Sequence, residues 1–542
     1  MRKRLGQPLP LGVTVNGNTV NFSVAVSAGK SCQLIVREKG KKTPHMTFNM
    51  PKEEGIGEVR FLTLENFDLD KYEYEYKISD ELAIDPYVKE LTKAYEWEDD
   101  KPLRIPFHDV IAYSMHVKGF TNHPSSCVLK KGTFAGVIEK LPYLRELGVN
   151  QIHLMPIYEI KEDGGKKNYW GYGSGYYFLP KSEYAANGSA TVEMKDMIKA
   201  CHKQGIEVIL DIAFDENTKR YMMHDCLRQY IVDYHVDGFI LDYMLVPMED
   251  VYDDPILKQT KFLRRQDYFQ NDMRKFLKSD AGMIDSLIYW QKYCNDRSVF
   301  NYITNHNGFT LWDLVSYQEK HNELNGEDNQ DGPNENYSWN CGVEGATDDK
   351  DILAFRMKQM KNAMTLLILA QGVPCILSGD EFGNTQYGNN NAYCQDNEIS
   401  WLDWEDIKKN EELYWFVKEL ILLRKDHPVF GQDYEVAGED SQMYGLPQVS
   451  YHGEYPWQPS LGQESRKIGI CYSGNVINDA DFYVAYNMHW EEEKLALPKL
   501  PEGKTWKLVM TTEKGFLDTP KMPESQKKIL VPARTIQVYI GK

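Results

Sequence analysis

Asp242 is the side chain whose position in the sequence is best suited to chemistry. It follows the apolar run Gly-Phe-Ile-Leu at 238–241, which predicts a buried strand. A carboxylate at the end of such a strand can act as a nucleophile or a general base when neighbouring groups keep it ionised. A strand-end Asp can also be purely structural, accepting hydrogen bonds from the nearby backbone. The residues around Asp242 therefore determine whether its carboxylate is functional or vestigial.

Strands and helices alternate from about residue 108, and this alternation predicts how Asp242 is held. The clearest apolar runs, separated by stretches with helical periodicity, are 149–156, 206–214, 237–244 and 373–379. Such alternation implies parallel strands buried on both faces and joined by right-handed crossovers. We count seven strands and predict an eighth between 260–265 and 299–305. A central (β/α)8 TIM barrel fits best, and its functional residues should follow the C-terminal ends of the strands.

Alternating apolar and polar positions flank the central region on both sides. These short runs are broken by Gly, Asn and Pro, a pattern typical of antiparallel sheets. We therefore predict three domains: an N-terminal β-sandwich at 1–104, the barrel at 105–430 and a C-terminal β-sandwich at 431–542.

The charge of the chain restricts the classes of partner. Lys and Arg total 62 and Asp and Glu total 80, so the net charge is −18. Nucleic acids and anionic membranes bind basic patches, which makes either an unexpected partner. The basic start has no apolar run behind it, and no stretch approaches the roughly 18 uninterrupted apolar residues of a membrane span. We expect a soluble protein without a signal.

The cysteine and aromatic contents add two expectations. Nine scattered cysteines without CxxC spacing predict free thiols in a reducing compartment, so we expect a cytoplasmic protein without a metal or cofactor. Aromatic residues make up 12% of the chain. This excess suits sugar binding, because flat rings stack on the apolar faces of pyranoses, but it also suits ordinary packing.

Several long strings resemble signature segments of bacterial isoamylase-type glycogen debranching enzymes, in glycoside hydrolase family 13. These segments are SYQEKHNELNGEDNQDGPNENYSWNCGVEGATDD at 316–349, GDEFGNTQYGNNNAYCQDNEISWLDW at 379–404, HVKGFT at 116–121, NYWGYG at 168–173 and GEYPWQPSLGQESR at 453–466. The resemblance spans nearly the whole chain. It implies a carbohydrate-binding-module-like N-terminal sandwich, a barrel of the α-amylase superfamily and a C-terminal β domain. The implied substrate class is α-1,4 glucan with α-1,6 branches.

The resemblance assigns the nucleophile position to Asp242. Retaining glycosidases of this kind use two carboxyl groups about 5 to 5.5 Å apart, one as nucleophile and one as proton donor. GFILD is similar to the family pattern Gly-Phe-Arg-Phe-Asp, which puts Ile240 where the family has Arg. A guanidinium there keeps the nucleophile ionised by a charge-assisted hydrogen bond, and Ile cannot do so. A buried Asp without that partner tends toward its neutral form, which is a poor nucleophile.

The general-acid position is also replaced. The segment DDPILKQTKFLRRQDYF at 253–269 aligns with the family's fifth-strand motif and puts Arg265 where the Glu belongs. A guanidinium stays protonated at neutral pH, so it cannot donate the proton. Asp267 is the nearest carboxylate that can take over this role, and the alternative is that Asp267 lies in a solvated loop.

Two further motifs differ from the family at residues that contact the sugar. His306-Asn307 stands where the family has His-Asp, and Asn lacks the charge that stabilises an oxocarbenium-like transition state. His306 is either a hydrogen-bond donor to sugar or an ordinary strand-end His. In DIAFDENT, Asp211 is kept and Glu216 replaces a His that bonds the sugar in the family.

The YWGYG segment is intact, so the resemblance predicts Trp170 and Tyr172 as substrate contacts. In the family the second Tyr stacks on the sugar at the cleavage point. The alternative is that Tyr172 merely packs the mouth of the barrel.

These replacements lead to three hypotheses. The first is a catalytically degenerate isoamylase-like protein that binds an α-glucan or maltooligosaccharide, or regulates an active debranching enzyme. The second is an active α-1,6-glucosidase with rearranged acids such as Asp267. The third is a structural subunit, without turnover or glucan binding, that assembles with an active enzyme or with itself.

Overall fold

Three groups of β-strands follow one another along the chain. The computed structural model describes residues 1–79, 81–90, 92, 94–161, 165, 167–292, 296–432, 435, 437–439 and 443–542. The first and last groups are antiparallel, and the central group is parallel apart from one hairpin.

The N-terminal group forms two antiparallel sheets that share one apolar core. Its strands are β1 (Arg2–Arg4), β2 (Gly12–Asn16), β3 (Thr19–Ala25), β4 (Cys32–Glu38), β5 (Pro44–Asn49), β6 (Val59–Glu65), β7 (Tyr72–Ile78) and β8 (Glu81–Ala83). They pair in the orders β1-β6-β3-β2 and β5-β4-β7-β8. Side chains from both sheets, including Phe22, Leu34, Leu62 and Tyr76, pack into one cluster. Burial of one face of each strand explains the alternating sequence pattern.

The central group contains seven parallel strands and one hairpin. The strands are β9 (Ala112–Met115), β10 (Gln151–Leu154), β11 (Tyr158–Ile160), β12 (Gly175–Pro180), β13 (Glu207–Asp211), β14 (Gly238–Ile240), β15 (Lys261–Leu263), β16 (Phe300–Asn301) and β17 (Val373–Leu377). β11 and β12 form the hairpin, and the other strands pair in the order β15-β14-β13-β10-β9-β17-β16. A parallel bridge between Arg264 and Val299 links the two outer strands. The sheet is therefore nearly closed.

Helices cover the outside of the central sheet. They are α1 (Val117–Thr121), α2 (Phe134–Leu147), α3 (Ala190–Lys203), α4 (Arg220–Tyr234), α5 (Met248–Asp253), α6 (Tyr268–Lys278), α7 (Ile284–Lys292), α8 (Leu311–Leu314), α9 (Lys350–Ile368), α10 (Asp406–Lys409) and α11 (Glu411–Asp426). The eighth strand predicted between β15 and β16 is not formed by the described residues, which make α6 and α7 there. Phe269, Met273, Phe276 and Leu277 of α6 are buried at helical spacing, which favours a helix over a strand.

The interior of the nearly closed sheet is filled by side chains. Ile209, Ile240, Leu263, Phe300 and Cys375, each from a different strand, belong to one buried cluster. This packing is typical of small parallel barrels, whose centre is a core and not a channel.

The C-terminal group packs directly against the central helices. Its strands are β18 (Val449–His452), β19 (Lys467–Tyr472), β20 (Asp481–Asn487), β21 (Glu493–Ala496), β22 (Trp506–Thr511), β23 (Gly515–Lys521), β24 (Lys528–Val531) and β25 (Thr535–Gly541). Six of them form the sheet β18-β19-β20-β25-β22-β23, and β21 pairs with β24. All seven residues of β20 are buried. Alternate residues of β20 join the core that contains the central helices and the core of the small second sheet.

Two chemical expectations can be compared with the structure. Eight cysteines are free thiols, in agreement with the prediction, and the ninth, Cys294, lies outside the described residues. Within the described part of the chain, no helix is long and apolar enough to cross a membrane.

A buried carboxyl pair follows β17. Asp380 and Glu381 are almost fully enclosed, and Glu381 accepts hydrogen bonds from the hydroxyls of Tyr113 at 2.8 Å and Tyr143 at 2.6 Å. Burial raises the pKa of each carboxyl to about 7, although the hydrogen bonds oppose that rise. The folded state therefore holds these protons more tightly than the unfolded chain does.

We predict that Glu381→Gln flattens the dependence of stability on pH. Because the pKa of Glu381 is raised from 4.5 to about 7 in the fold, its contribution to stability is complete below about pH 4.5 and is lost as the pH rises to 7. Urea unfolding of the wild type and the variant at several pH values between 4.5 and 8 measures this difference. Parallel curves for the two proteins would contradict the prediction.

Candidate functional site at the mouth of the central sheet

The carboxyl ends of β13, β14 and β15 bring three predicted site residues to one end of the sheet. Asp211 is the last residue of β13, Asp242 follows β14 by two residues, and Arg265 follows β15 by two residues. Since the strands are parallel and adjacent, their ends lie side by side. We call this end of the sheet the mouth.

A buried ion pair joins Asp211 to Arg265 across the mouth. Arg265 Nη1 lies 2.5 Å from Asp211 Oδ2, and the two side chains are 25% and 5% exposed. The Tyr172 hydroxyl donates to the same carboxylate oxygen at 2.5 Å. Burial disfavours the Arg265 charge, but Asp211 and Tyr172 outweigh burial and raise its pKa above the ordinary value. Arg265 is consequently a permanent cation at this position.

Two rings enclose Tyr172. The imidazole of His306 stacks on the Tyr172 ring with centroids 5.0 Å apart and an interplanar angle of 13°. The rings of Trp170 and His306 are perpendicular, with centroids 4.8 Å apart and an interplanar angle of 89°. Burial, followed by the nearby Arg265 charge, lowers the pKa of His306 well below its ordinary value, so the imidazole is neutral. One face of the predicted sugar platform is thus covered by His306. We call Asp211, Arg265, Tyr172, His306 and Trp170 the mouth cluster.

Asp242 lies apart from that ion pair. The prediction of a buried carboxylate was wrong, because β14 ends at Ile240 and Asp242 is exposed beyond it. Its Oδ1 accepts a hydrogen bond from the Met244 amide at 2.9 Å, which caps the local turn. Ile240 itself is only 3% exposed and packs inside the barrel. The position that precedes Asp242 by two residues therefore points into the core and supplies no charge.

The other two replaced positions are exposed. The Asn307 amide donates to Asn305 Oδ1 at 2.8 Å, and its own side chain faces solvent. Glu216 lies in the turn before α4 and is exposed. Neither side chain belongs to the mouth cluster.

Asp267 lies at the start of α6 and is exposed. Its Oδ1 accepts from the Tyr302 hydroxyl at 2.7 Å. The buried Arg274, whose pKa falls to about 10 through burial, is stabilised electrostatically by Asp267. Asp267 therefore serves as a hydrogen-bond acceptor for Tyr302 and as an electrostatic partner of Arg274.

An open cleft adjoins the mouth cluster. It has a volume of about 1090 Å³ and includes Tyr172, Asn168, Lys181, Glu183 and Tyr393 in its walls. The rings of Tyr172 and Tyr393 lie among mostly polar side chains in these walls, a composition that suits a ligand with hydroxyl edges and apolar faces. Among the described residues, no cluster of three His, Cys, Asp or Glu side chains could hold a metal ion.

Sequence reasoning identified the members of the mouth cluster but missed two of its contacts. It treated Arg265 only as a lost acid and did not predict the ion pair with Asp211. The sequence did contain a signal for this ion pair. Relative to the family pattern, Arg is absent at position 240 and present at position 265, while Asp211 is kept. The stacking of His306 on Tyr172 had no comparable signal, because it depends on how two long loops fold.

Comparison with known proteins places the chain in a family. Residues 107–225 match the model of the α-amylase catalytic domain. The chain is 30% identical to the glycogen operon protein GlgX homolog of Mycobacterium bovis, over 82% of this chain and 78% of that protein. It is 28% identical to isoamylase 3, chloroplastic, of Oryza sativa subsp. japonica, over 94% of this chain and 83% of that protein. The chain belongs to the isoamylase/GlgX-type debranching-enzyme family of the α-amylase superfamily.

Solved structures agree on the fold. Pullulanase type I from Bacillus subtilis, crystallised with maltose, superimposes with a TM-score of 0.77 over 99% of this chain and 86% of that one, at 19% identity. The nearly closed parallel sheet with additional β-sheets is therefore of the pullulanase and isoamylase type.

We predict that Arg265→Met destabilises the fold by about 3 kcal/mol, because it leaves the Asp211 carboxylate buried without a cation. The double variant Asp211→Asn with Arg265→Met should recover most of that loss, since the two residues act as one unit. Urea unfolding of the single and double variants measures both effects.

Arg264→Met is the matched control for this prediction. Arg264 neighbours Arg265 in sequence, but its ion pair with Asp296 is exposed, with side chains 37% and 42% accessible. Exposed pairs contribute about 0 to 1 kcal/mol, so the control should change little. Equal losses for Arg264→Met and Arg265→Met would contradict the assignment of a special role to the buried pair.

Proposed function

We propose that the chain is an isoamylase-like α-glucan-binding protein without debranching activity, acting as a binding or regulatory protein. The observation that carries the proposal is Arg265, which takes the general-acid position and is held there by Asp211 at 2.5 Å. Cleavage of an α-1,6 bond needs a proton for the leaving oxygen, and a guanidinium retains its proton at neutral pH. Loss of a general acid alone costs about 10²- to 10⁴-fold in rate.

The remaining catalytic positions support the same proposal. Asp242 takes the nucleophile position, but the cation of the mouth pairs with Asp211 and not with Asp242. Asn307 takes the position of the transition-state carboxylate and carries no charge. Ile240 and Glu216 replace two groups that contact the nucleophile and the sugar in the family. These losses affect groups that act together, so their effects do not simply multiply.

Binding does not need the lost groups. Trp170, Tyr172 and His306 present partly exposed rings at the mouth beside the Asp211 ion pair, and the adjoining cleft is open. The Bacillus subtilis pullulanase of the same fold was crystallised with maltose. These facts support an α-glucan or maltooligosaccharide as the ligand, contacted at the outer side of the mouth cluster.

We also propose a central (β/α)8 barrel and three domains. Seven parallel strands and the bridge between Arg264 and Val299 support a (β/α)8 barrel. The changes of sheet type along the chain support divisions at 1–104, 105–430 and 431–542. An active debranching enzyme or a second copy of this chain is a further candidate partner.

We expect the purified protein to release no linear chains from amylopectin while binding a maltooligosaccharide. A reducing-end assay measures release, and calorimetric titration with maltoheptaose measures binding. Enzyme-level turnover by the wild type would reject the proposal. In that case Asp242→Ala should abolish the activity if Asp242 is the nucleophile of an active α-1,6-glucosidase with rearranged acids.

A restoration series tests the cause of inactivity. Ile240→Arg, Arg265→Glu and Asn307→Asp together return a cation to β14, an acid to β15 and the third carboxylate. Arg265→Glu alone sets two carboxylates side by side at Asp211, so we expect it to unfold more easily than the wild type. We expect slow chain release from the triple variant only. Binding without any release by a well-folded triple variant would mean that other changes also block turnover.

A further inference from the structure

A turn in the C-terminal region presents two aromatic rings to solvent. Residues 453–458 connect β18 to the segment before β19, and Tyr455 is 60% exposed while Trp457 is 49% exposed. We call this segment the aromatic turn. It forms part of the string at 453–466 that resembles the family, and the mouth of the barrel gives it no role.

Hydrogen bonds hold the aromatic turn in one conformation. The Tyr455 carbonyl accepts from the amides of Gly453 and Gln458, each at 3.3 Å. The Trp457 amide donates to Nδ1 of the buried His452 at 3.0 Å. Burial lowers the pKa of His452 to about 4, which keeps its ring neutral and able to accept this bond. A Cβ on Gly453 would lie 2.3 Å from the Gln458 carbonyl oxygen, so only glycine fits at this position of the turn.

Trp457 has a strained backbone. Its φ is +66°, in the left-handed region that bulky residues rarely adopt. Gly or Asn would adopt this conformation at lower cost. Strain of this kind persists at functional positions where the surroundings fix the backbone.

An ion pair lies beside the aromatic turn. Lys528 lies 5.2 Å from the centre of the Tyr455 ring, and its Nζ pairs with Glu454 Oε1 at 3.0 Å. Two exposed rings beside a paired cation and anion match a neutral ligand with apolar faces and hydroxyl edges.

We propose that Tyr455 and Trp457 form a second α-glucan site that binds a segment of a long glucan chain. The inference rests on the proposed function, because it takes the same ligand class. Rings fixed before binding lose little conformational entropy when a sugar stacks on them.

The chain beyond the aromatic turn lies at the end of α6 that is farther from the mouth. The chain that follows the aromatic turn docks on the end of α6, where Arg466 Nε donates to the Ser279 carbonyl at 2.9 Å and the Gly282 amide donates to Gln463 at 3.0 Å. α6 starts at the mouth and its eleven residues span about 16 Å. We therefore expect a long chain or a branched polymer to be needed to reach both sites at once.

Affinity electrophoresis through glycogen gels tests the inference on the full chain. Trp457→Gly removes the ring and relieves the backbone strain, so this variant should fold. We expect its apparent dissociation constant for glycogen to rise about tenfold, and Tyr455→Ser to have a smaller effect. Trp415→Ala is the control, because Trp415 is similarly exposed at 45% but lies on α11 away from the turn. We expect the control to migrate like the wild type.

A second measurement separates the two sites. Added maltoheptaose should move the indole N–H resonance of Trp457, identified by its absence in Trp457→Gly. Unchanged glycogen retention by Trp457→Gly would overturn the second site and leave binding at the mouth intact. Suppose that Trp457→Gly loses glycogen retention and that the same variant shows no maltotriose binding in calorimetry. That result would uphold the second site and reject the mouth as a glucan site. A wild type that binds no glycogen would overturn both.

Discussion

The buried carboxylate of Asp211 is the constraint on which the mouth depends. A carboxylate with so little exposure is stable only beside a cation or several donors. The neighbouring strand β14 ends in Ile240, which packs into the barrel interior and provides neither. Arg265, from the strand beyond β14, reaches across and supplies the charge. The hydroxyl of Tyr172 donates to the same carboxylate, and the ring of His306 stacks on Tyr172.

The positions of Asp211 and Arg265 could be predicted from the sequence because each lies at the end of a strand or just after it. Apolar runs located β13, β14 and β15, and parallel pairing then required Asp211 and Arg265 to meet at one end. The ion pair between these two side chains was harder to predict. It depends on which side chain reaches across the end of β14, the strand between them. The exposure of Asp242 was missed because the apolar run continues through Leu241, one residue beyond the last strand residue.

The predicted eighth strand shows a second limit of prediction from sequence. Residues between β15 and β16 are apolar enough for a strand, but Phe269, Met273 and Phe276 are buried at helical spacing on α6. A short apolar run does not by itself distinguish the two structures, and the neighbouring elements decide. The near closure of the sheet is completed there by the backbone at Arg264 and Val299.

Strand β20 has a consequence for how the chain can be divided. With all seven residues buried, it lies between the central helices and the small sheet of β21 and β24. Cutting the chain after α11 would strip the cover from apolar side chains of α9 and α11, and the isolated remainder would expose one whole face of its main sheet. We therefore expect the central region and the C-terminal group of strands to fold as one cooperative unit, although their sequence patterns differ.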